Sequence, residues 1–148
     1  MSESKLKYAP SNIERAVTAL KKHQITKTNF LKLLDAEKER LEKIKNTIKK
    51  EQKNADDITK ESIKNEIDTG FMGIDTIIMA IEHLKKYEYD PRTIILDDGE
   101  KLAKRGQELV FKAAQMNEEA FDTIMDTAKD MVENPSFLGQ EEMMISPY

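Results

Sequence analysis

Apolar residues recur along most of this chain at spacings of three and four, the period of a helix buried along one side. Ile13, Ala16, Val17 and Leu20 mark a short first helix, and Ser11-Asn12-Ile13-Glu14, just after Pro10, has the serine-to-glutamate spacing of a capping box. That helix is expected to stop near His23 or Gln24. Gln24-Ile25-Thr26-Lys27 then forms a tight connection, with Thr28 or Asn29 as the next cap. A second helix is predicted from about Asn29 to Lys53, because Phe30, Leu34, Leu41, Ile44 and Ile48 keep the spacing of a heptad seam. Glu37 interrupts that seam. Beyond Ala36 the stripe is narrow, which means contact with one or two neighbouring helices.

Asn54-Ala55-Asp56-Asp57 reads as a turn in which either aspartate can cap the third helix. That helix carries Ile63, Ile67, Phe71, Ile74, Ile78, Ile81 and Leu84 and ends at the corner Tyr87-Glu88-Tyr89-Asp90-Pro91. Gly70 and Gly73 lie inside it, each costing about 1 kcal/mol relative to alanine, so they need a reason. The seam keeps its phase across both, which favours a continuous helix with a partner backbone close by over a break at Asp68-Thr69. On that reading leucine at these positions overfills the contact, whereas alanine is accommodated. Asp90 and Pro91 are expected to start a short turn that buries Ile94, Ile95 and Leu96. A fourth helix follows from Asp97 or Asp98 to about Val132, along Gly106, Leu109, Val110, Ala113, Ala120, Phe121, Ile124, Ala128, Met131 and Val132.

Composition narrows the picture. The 148 residues leave room for one domain, and 35% charged, 6% aromatic, 5 Gly and 4 Pro suit helices with one exposed face while arguing against a turn-rich β fold. With no cysteine there is no disulfide framework, thiolate zinc site or cysteine nucleophile. The N-terminus lacks the apolar core of a signal peptide, and no run approaches a membrane span, so a soluble, cytoplasmic protein with no membrane contact is expected. A viral origin would translate this into host cytoplasm or virion. The net charge of -4 hides an asymmetry: residues 1–53 hold 14 Lys+Arg against 7 Asp+Glu, a net of +7, and residues 54–148 hold 10 against 21, a net of -11. Either a basic arm meets a polyanion, or two parts of the chain or of neighbouring subunits attract each other.

The search for catalysis finds little. His23 and His83 have Leu20 and Ala80 three residues before them, which removes a helical di-iron pattern. Asp68-Thr69-Gly70 spells an aspartic protease loop, but within a helical stretch that cannot hold two aspartates on a β framework. Asp97-Asp98-Gly99-Glu100 lacks the alternating ligands of a calcium loop and suits a first helical turn. Lys104-Arg105-Gly106 has one glycine, inside a helix, and makes no phosphate loop. The expectation is a protein without catalysis, metal or cofactor.

Three features carry more. The first is the lysine-rich region, where Lys21, Lys22, Lys27 and Lys32 would serve a nucleic-acid-binding module built like a helix-turn-helix. Interspersed glutamates and few arginines weigh against base reading. The second is an acidic row, Glu118 or Glu119, Asp122, Asp126 and Asp130, stacked on one helix face and calling for a basic counterpart. The third is the C-terminal stretch, 133–148, in which Phe137, Leu138, Met143, Met144 and Ile145 form two apolar clusters suited to docking on a partner.

Basic short helix, long helical hairpin and partner-seeking tail together give an arrangement that is similar to viral packaging and head-assembly components such as terminase small subunits. The similarity is architectural and transfers no functional position. The expected protein is all-α, an elongated antiparallel helical bundle of three long helices with a short N-terminal helix and an extended C-terminal tail. It comprises an N-terminal arm (1–10), the bundle (11–132, basic over 11–53 and acidic over 54–132) and a docking tail (133–148). Its expected role is that of a homo-oligomerising or partner-binding adaptor, with nucleic-acid binding as the alternative.

Overall fold

The computed structural model describes residues 8–116, and the fold is all-α. Four helices follow one another: α1 (Asn12–Lys21), α2 (Lys27–Asn54), α3 (Asp57–Leu84) and α4 (Thr93–Met116), with a single 3-10 turn at Lys85–Glu88 before α4. Residues 1–7, the acidic row and the docking tail lie outside the described residues.

Local chemistry fixes the helix starts. At α1 the capping box forms: Ser11 Oγ accepts from the Glu14 amide at 3.2 Å, and the Glu14 carboxylate accepts from the Ser11 amide at 2.7 Å. The α2 cap is Thr26, whose hydroxyl accepts from the Asn29 amide at 3.1 Å, so the helix begins two to three residues before the sequence expectation. Asp56 caps α3 by accepting from the Thr59 amide at 2.7 Å, and this bond holds its carboxyl below the usual carboxylate range. The separate turn expected from Asp90-Pro91 through Leu96 does not form, since Ile94, Ile95 and Leu96 belong to α4. The Arg92 guanidinium engages the Asp90 carboxylate through Nε and Nη2, both at 2.7 Å, so that carboxylate does not cap a turn at Pro91. The Ile95 amide donates to the Arg92 carbonyl, and α4 starts at Thr93. Ile95 and Leu96 are buried as expected, but Ile94 is 48% exposed.

α3 runs unbroken through its glycines and packs most closely on α4. Two heptad-like rows meet there: Glu66, Gly70, Gly73, Ile77, Ala80 and Leu84 on α3, and Leu96, Gly99, Ala103, Gly106, Val110 and Ala113 on α4, all buried. The hairpin is antiparallel, with Gly99 against Leu84 at one level and Gly106 against Gly73 at another. The small residues let the two backbones approach closely.

A second row on α3, including Ile63, Ile67, Ile74 and Ile81, belongs to the main core with Phe30, Leu34, Leu41 and Ile48 of α2. Each fully buried side chain of this size contributes about 1.5 to 3 kcal/mol relative to exposure. Across α2 and α3, Lys85–Asp35 (3.1 Å), Lys38–Glu82 (2.7 Å) and Lys45–Asp75 (2.5 Å) step in opposite directions along the two helices, as an antiparallel pair requires. These pairs are partly exposed and contribute little energy individually; their value lies in matching register.

α1 packs on α2 and α4. The segment before it lies along α4, with the Tyr8 ring 5.3 Å from that of Phe111 and the Gln107 side chain donating to the Ala9 carbonyl at 3.1 Å. The Tyr8 hydroxyl donates to the Glu14 carboxylate at 2.8 Å, which ties this segment to the capping box. Burial, followed by the nearby Glu14 carboxylate, raises the Tyr8 phenol above its ordinary value.

Candidate interaction surface

The α3–α4 hairpin has two sides, and helical geometry assigns each residue to one. On α3, Phe71, Ile74, Ile78 and Ile81 turn toward α2, and the Phe71 ring lies under the ammonium groups of Lys45 and Lys49, 5.8 and 5.9 Å from its centroid. On α4, Asp97, Glu100, Gln107 and Phe111 turn toward α1 and the segment before it. For antiparallel helices these directions fall on the same side, so α1 and α2 together cover one side of the hairpin.

The opposite side carries Met72, Thr76 and Met79 of α3 alongside Leu102, Leu109 and Met116 of α4, each set at helical spacing. Met72 is 60% exposed and Met79 59%, the two lying seven residues and two turns apart on one face. Met116 is exposed, and Leu102 and Leu109 are half-buried. Arg105 and Lys112 stand exposed at the edge of this strip and enter no ion pair among the described residues. The result is an apolar strip with a charged border, in which Asp98 shares the α4 edge with Arg105 and Lys112 and Asp68 lies beside Met72 on α3. The α3 methionines fall out of phase with the isoleucine seam and so belong to no site expected from the sequence; two methionines seven apart on the polar side of an amphipathic helix are the signal it offers.

The lysines singled out for nucleic acid are not equivalent. Lys21 pairs with Asp97 at 2.5 Å and Glu100 at 3.2 Å, and the hydrogen bond to Asp97 is the main cause of its raised pKa. Lys27 Nζ stands 3.5 Å from the Glu88 carbonyl, at the corner between α3 and α4. Lys22 and Lys32 are exposed. Four contacts thus run from a lysine of the basic half to a carboxylate of the acidic half: Lys21 to Asp97 and to Glu100, Lys38 to Glu82, and Lys45 to Asp75. The other predicted site residues, Phe137, Leu138, Met143, Met144 and Ile145, lie outside the described residues.

One buried polar cluster interrupts the core. Glu37, 1% exposed in the α2 seam, receives Arg40 Nε at 2.8 Å and Arg40 Nη2 at 2.9 Å, and Asn12 of α1 approaches it at 3.3 Å. This bidentate pair neutralises the carboxylate and joins α1 to α2. The carboxylate is buried while Arg40 keeps access to solvent, and a pair held this way favours one arrangement of α1 on α2.

Among the described residues, open hollows indent the surface beside Glu14, Arg15 and Glu100, of about 340 Å³, and beside Gln52, Asp57 and Lys60, of about 390 Å³. In the first, the Glu14 carboxylate is already engaged by the Ser11 amide and the Tyr8 hydroxyl. Among the described residues no group of three or more histidines, aspartates and glutamates is placed to hold a metal ion, and no helix is long and apolar enough to cross a membrane. Compared with protein-family models, with curated proteins and with solved structures, the chain matches none.

Proposed function

We propose that this protein is a non-enzymatic helical assembly element, one that binds copies of itself or another protein through its C-terminal tail and the side of its α3–α4 hairpin that neither α1 nor α2 covers. The observation that carries this reading is the pair Met72 and Met79, exposed on a helix whose other flanks are packed against α4 and α2. Methionine suits a contact surface of this kind, being flexible and able to fill irregular gaps. An apolar strip with a polar border is also the anatomy of a protein interface.

Light scattering tests the reading directly. The full chain is expected to show a mass above the 17.0 kDa of one copy, and Met72→Glu/Met79→Glu to lower it while leaving helicity unchanged. A mass of one chain at every concentration, with no partner bound, counts against it. The nucleic-acid reading has weaker support, since the geometry commits Lys21 and two α2 lysines to carboxylates of the same chain. If double-stranded DNA nevertheless shifts the protein in a strongly salt-dependent way, that reading takes precedence.

A further inference from the structure

We propose that the side of the α3–α4 hairpin left open by α1 and α2 packs on the same side of a second copy, about a two-fold axis parallel to the helices, so that α3 of each copy lies on α4 of the other. The inference rests on the assembly reading and names the partner and its orientation. Heights along the hairpin follow from its closest contact. A Cβ on Gly73 would meet Gly106 and Val110, and one on Gly106 would meet Gly73 and Ile77. Antiparallel counting from there sets Met72 level with Leu109, and Met79 level with Leu102. Each level thus carries an exposed methionine on α3 and a half-buried leucine on α4. An axis along the helices keeps every level and exchanges the two edges, so each methionine meets the leucine of its own level in the other copy.

The charged border obeys the same symmetry. By the same counting Asp68 on the α3 edge is nearly level with Lys112 on the α4 edge. Asp98 on α4 is level with half-buried His83 near the end of α3, and exposed Lys86 follows three residues on. The signs therefore alternate around the four corners of the face, and exchanging the edges sets Asp68 against Lys112 of the second copy and Asp98 against its Lys86. These charges are free to pair. Lys86, Asp98, Arg105 and Lys112 enter no ion pair among the described residues, and Asp68 has only Lys64, one turn away on its own helix, at 3.4 Å. On the covered side, by contrast, Lys38, Lys45 and Lys85 each reach a carboxylate of another helix. Arg105 selects the axis. A two-fold axis across the helices would also pair opposite corners, but it lays α4 on α4 and brings the two Arg105 guanidinium groups together at mid-height. The axis along the helices instead sets Arg105 opposite the α3 stretch between Met72 and Met79, where the nearest charge is Asp75.

Reversing the corners one helix at a time tests the arrangement in full-length chains. Asp68→Lys/Lys86→Asp reverses the α3 edge and Asp98→Lys/Lys112→Asp the α4 edge, and circular dichroism checks that helicity is kept. In light scattering over a concentration series, each variant alone is expected to self-associate about tenfold more weakly than the parent, because all of its corner pairs become like charges. Mixing the two variants, or placing all four reversals in one chain, is expected to restore the parental strength, since every pair is then opposite again. With an axis across the helices each variant would keep its own pairs, so unchanged self-association overturns the arrangement. Weakening that neither mixing nor the fourfold reversal restores overturns it too. A parent oligomer indifferent to all the reversals sinks only this inference. A parent that stays a single chain at every concentration sinks it as well, and the assembly reading with it if no other protein binds.

Discussion

Gly73 and Gly106 face each other across the α3–α4 contact so closely that a Cβ on Gly73 would lie 2.6 Å from the Gly106 carbonyl oxygen, and one on Gly106 2.5 Å from the Gly73 carbonyl oxygen. Each helix therefore packs against the other's backbone. This corrects the expectation that alanine would be accommodated at Gly73, because the obstacle is a carbonyl that cannot rotate away. Gly73→Ala gains about 1 kcal/mol of helix propensity but must push two helices apart. It is expected to destabilise the protein by about 1 to 3 kcal/mol net in urea unfolding. Gly99→Ala should cost less, since it meets the Leu84 side chain instead of backbone. An unchanged midpoint for Gly73→Ala would mean that the helices separate freely.

Glu37 and Arg40 form a charge pair at the α1–α2 junction with one partner almost wholly buried and the other 24% exposed in its side chain. Removing Glu37 leaves a guanidinium facing the core, whereas removing Arg40 leaves a buried carboxylate with only the longer Asn12 contact. Each alanine variant is expected to lose roughly 2 to 4 kcal/mol, below the full cost of an orphaned buried ion because Arg40 can reach water. A double-mutant cycle in chemical unfolding should return a coupling of about 1 to 3 kcal/mol. Additive losses would show that the two side chains act separately.

His23, just past α1, adopts φ 59°, the left-handed region in which a Cβ is crowded. The chain turns there because the His23 amide donates to the Leu20 carbonyl and the Gln24 amide to the Ala19 carbonyl, closing the end of the helix. Glycine fits this backbone without the crowding. After the greater freedom glycine has in the unfolded chain, His23→Gly should still stabilise by about 0.5 to 1 kcal/mol, read as a higher melting temperature. A lower melting temperature would mean that the imidazole makes a contribution outweighing the strain.

Acid should weaken the fold through specific carboxylates. Lys38 holds Glu82 below its usual range, the Thr59 amide does the same for Asp56, and Arg92 for Asp90. A carboxyl with a lowered folded pKa contributes stability that is present above its unfolded pKa, about 4, and is lost as pH falls through the folded value. The melting temperature should therefore fall below about pH 4, and less so for Glu82→Gln, which has no such proton to take up. An identical acid slope in that variant would remove Glu82 from the account.

Much of the fold was legible because periodicity and capping agree in this chain. The α1 capping box, the continuity of α3 through Gly70 and Gly73, and the alternation of apolar residues on α2 follow from local rules that packing did not override. The starts of α2 and α4 were less legible for a physical reason. Several residues near each junction can cap, and the choice between Thr26, Thr28 and Asn29 rests on the path of the preceding turn. Asp90 was removed as a cap by Arg92, two residues on, a competition that spacing alone does not show. Glu37 stands out in the sequence as a break in its seam, but nothing in the spacing marks Arg40, three residues on, as its partner. The uncovered strip was hidden further, because recognising it requires knowing which flanks of α3 and α4 the other helices take.

The seat of α1 on α4 has a consequence for synthesis. Lys21 and Asp97 are 76 residues apart, and Ala9 and Gln107 are 98 apart. During synthesis α1 therefore waits for nearly all of the described chain before it can dock on α4, while α3 and α4 are joined by a short corner and can pair as soon as both have emerged. During that wait Ile13, Ala16, Val17 and Leu20 lack whatever cover α4 gives the helix. Until then the nascent α1 stays open to a chaperone, and its docking on α4 comes late in the assembly of the described helices.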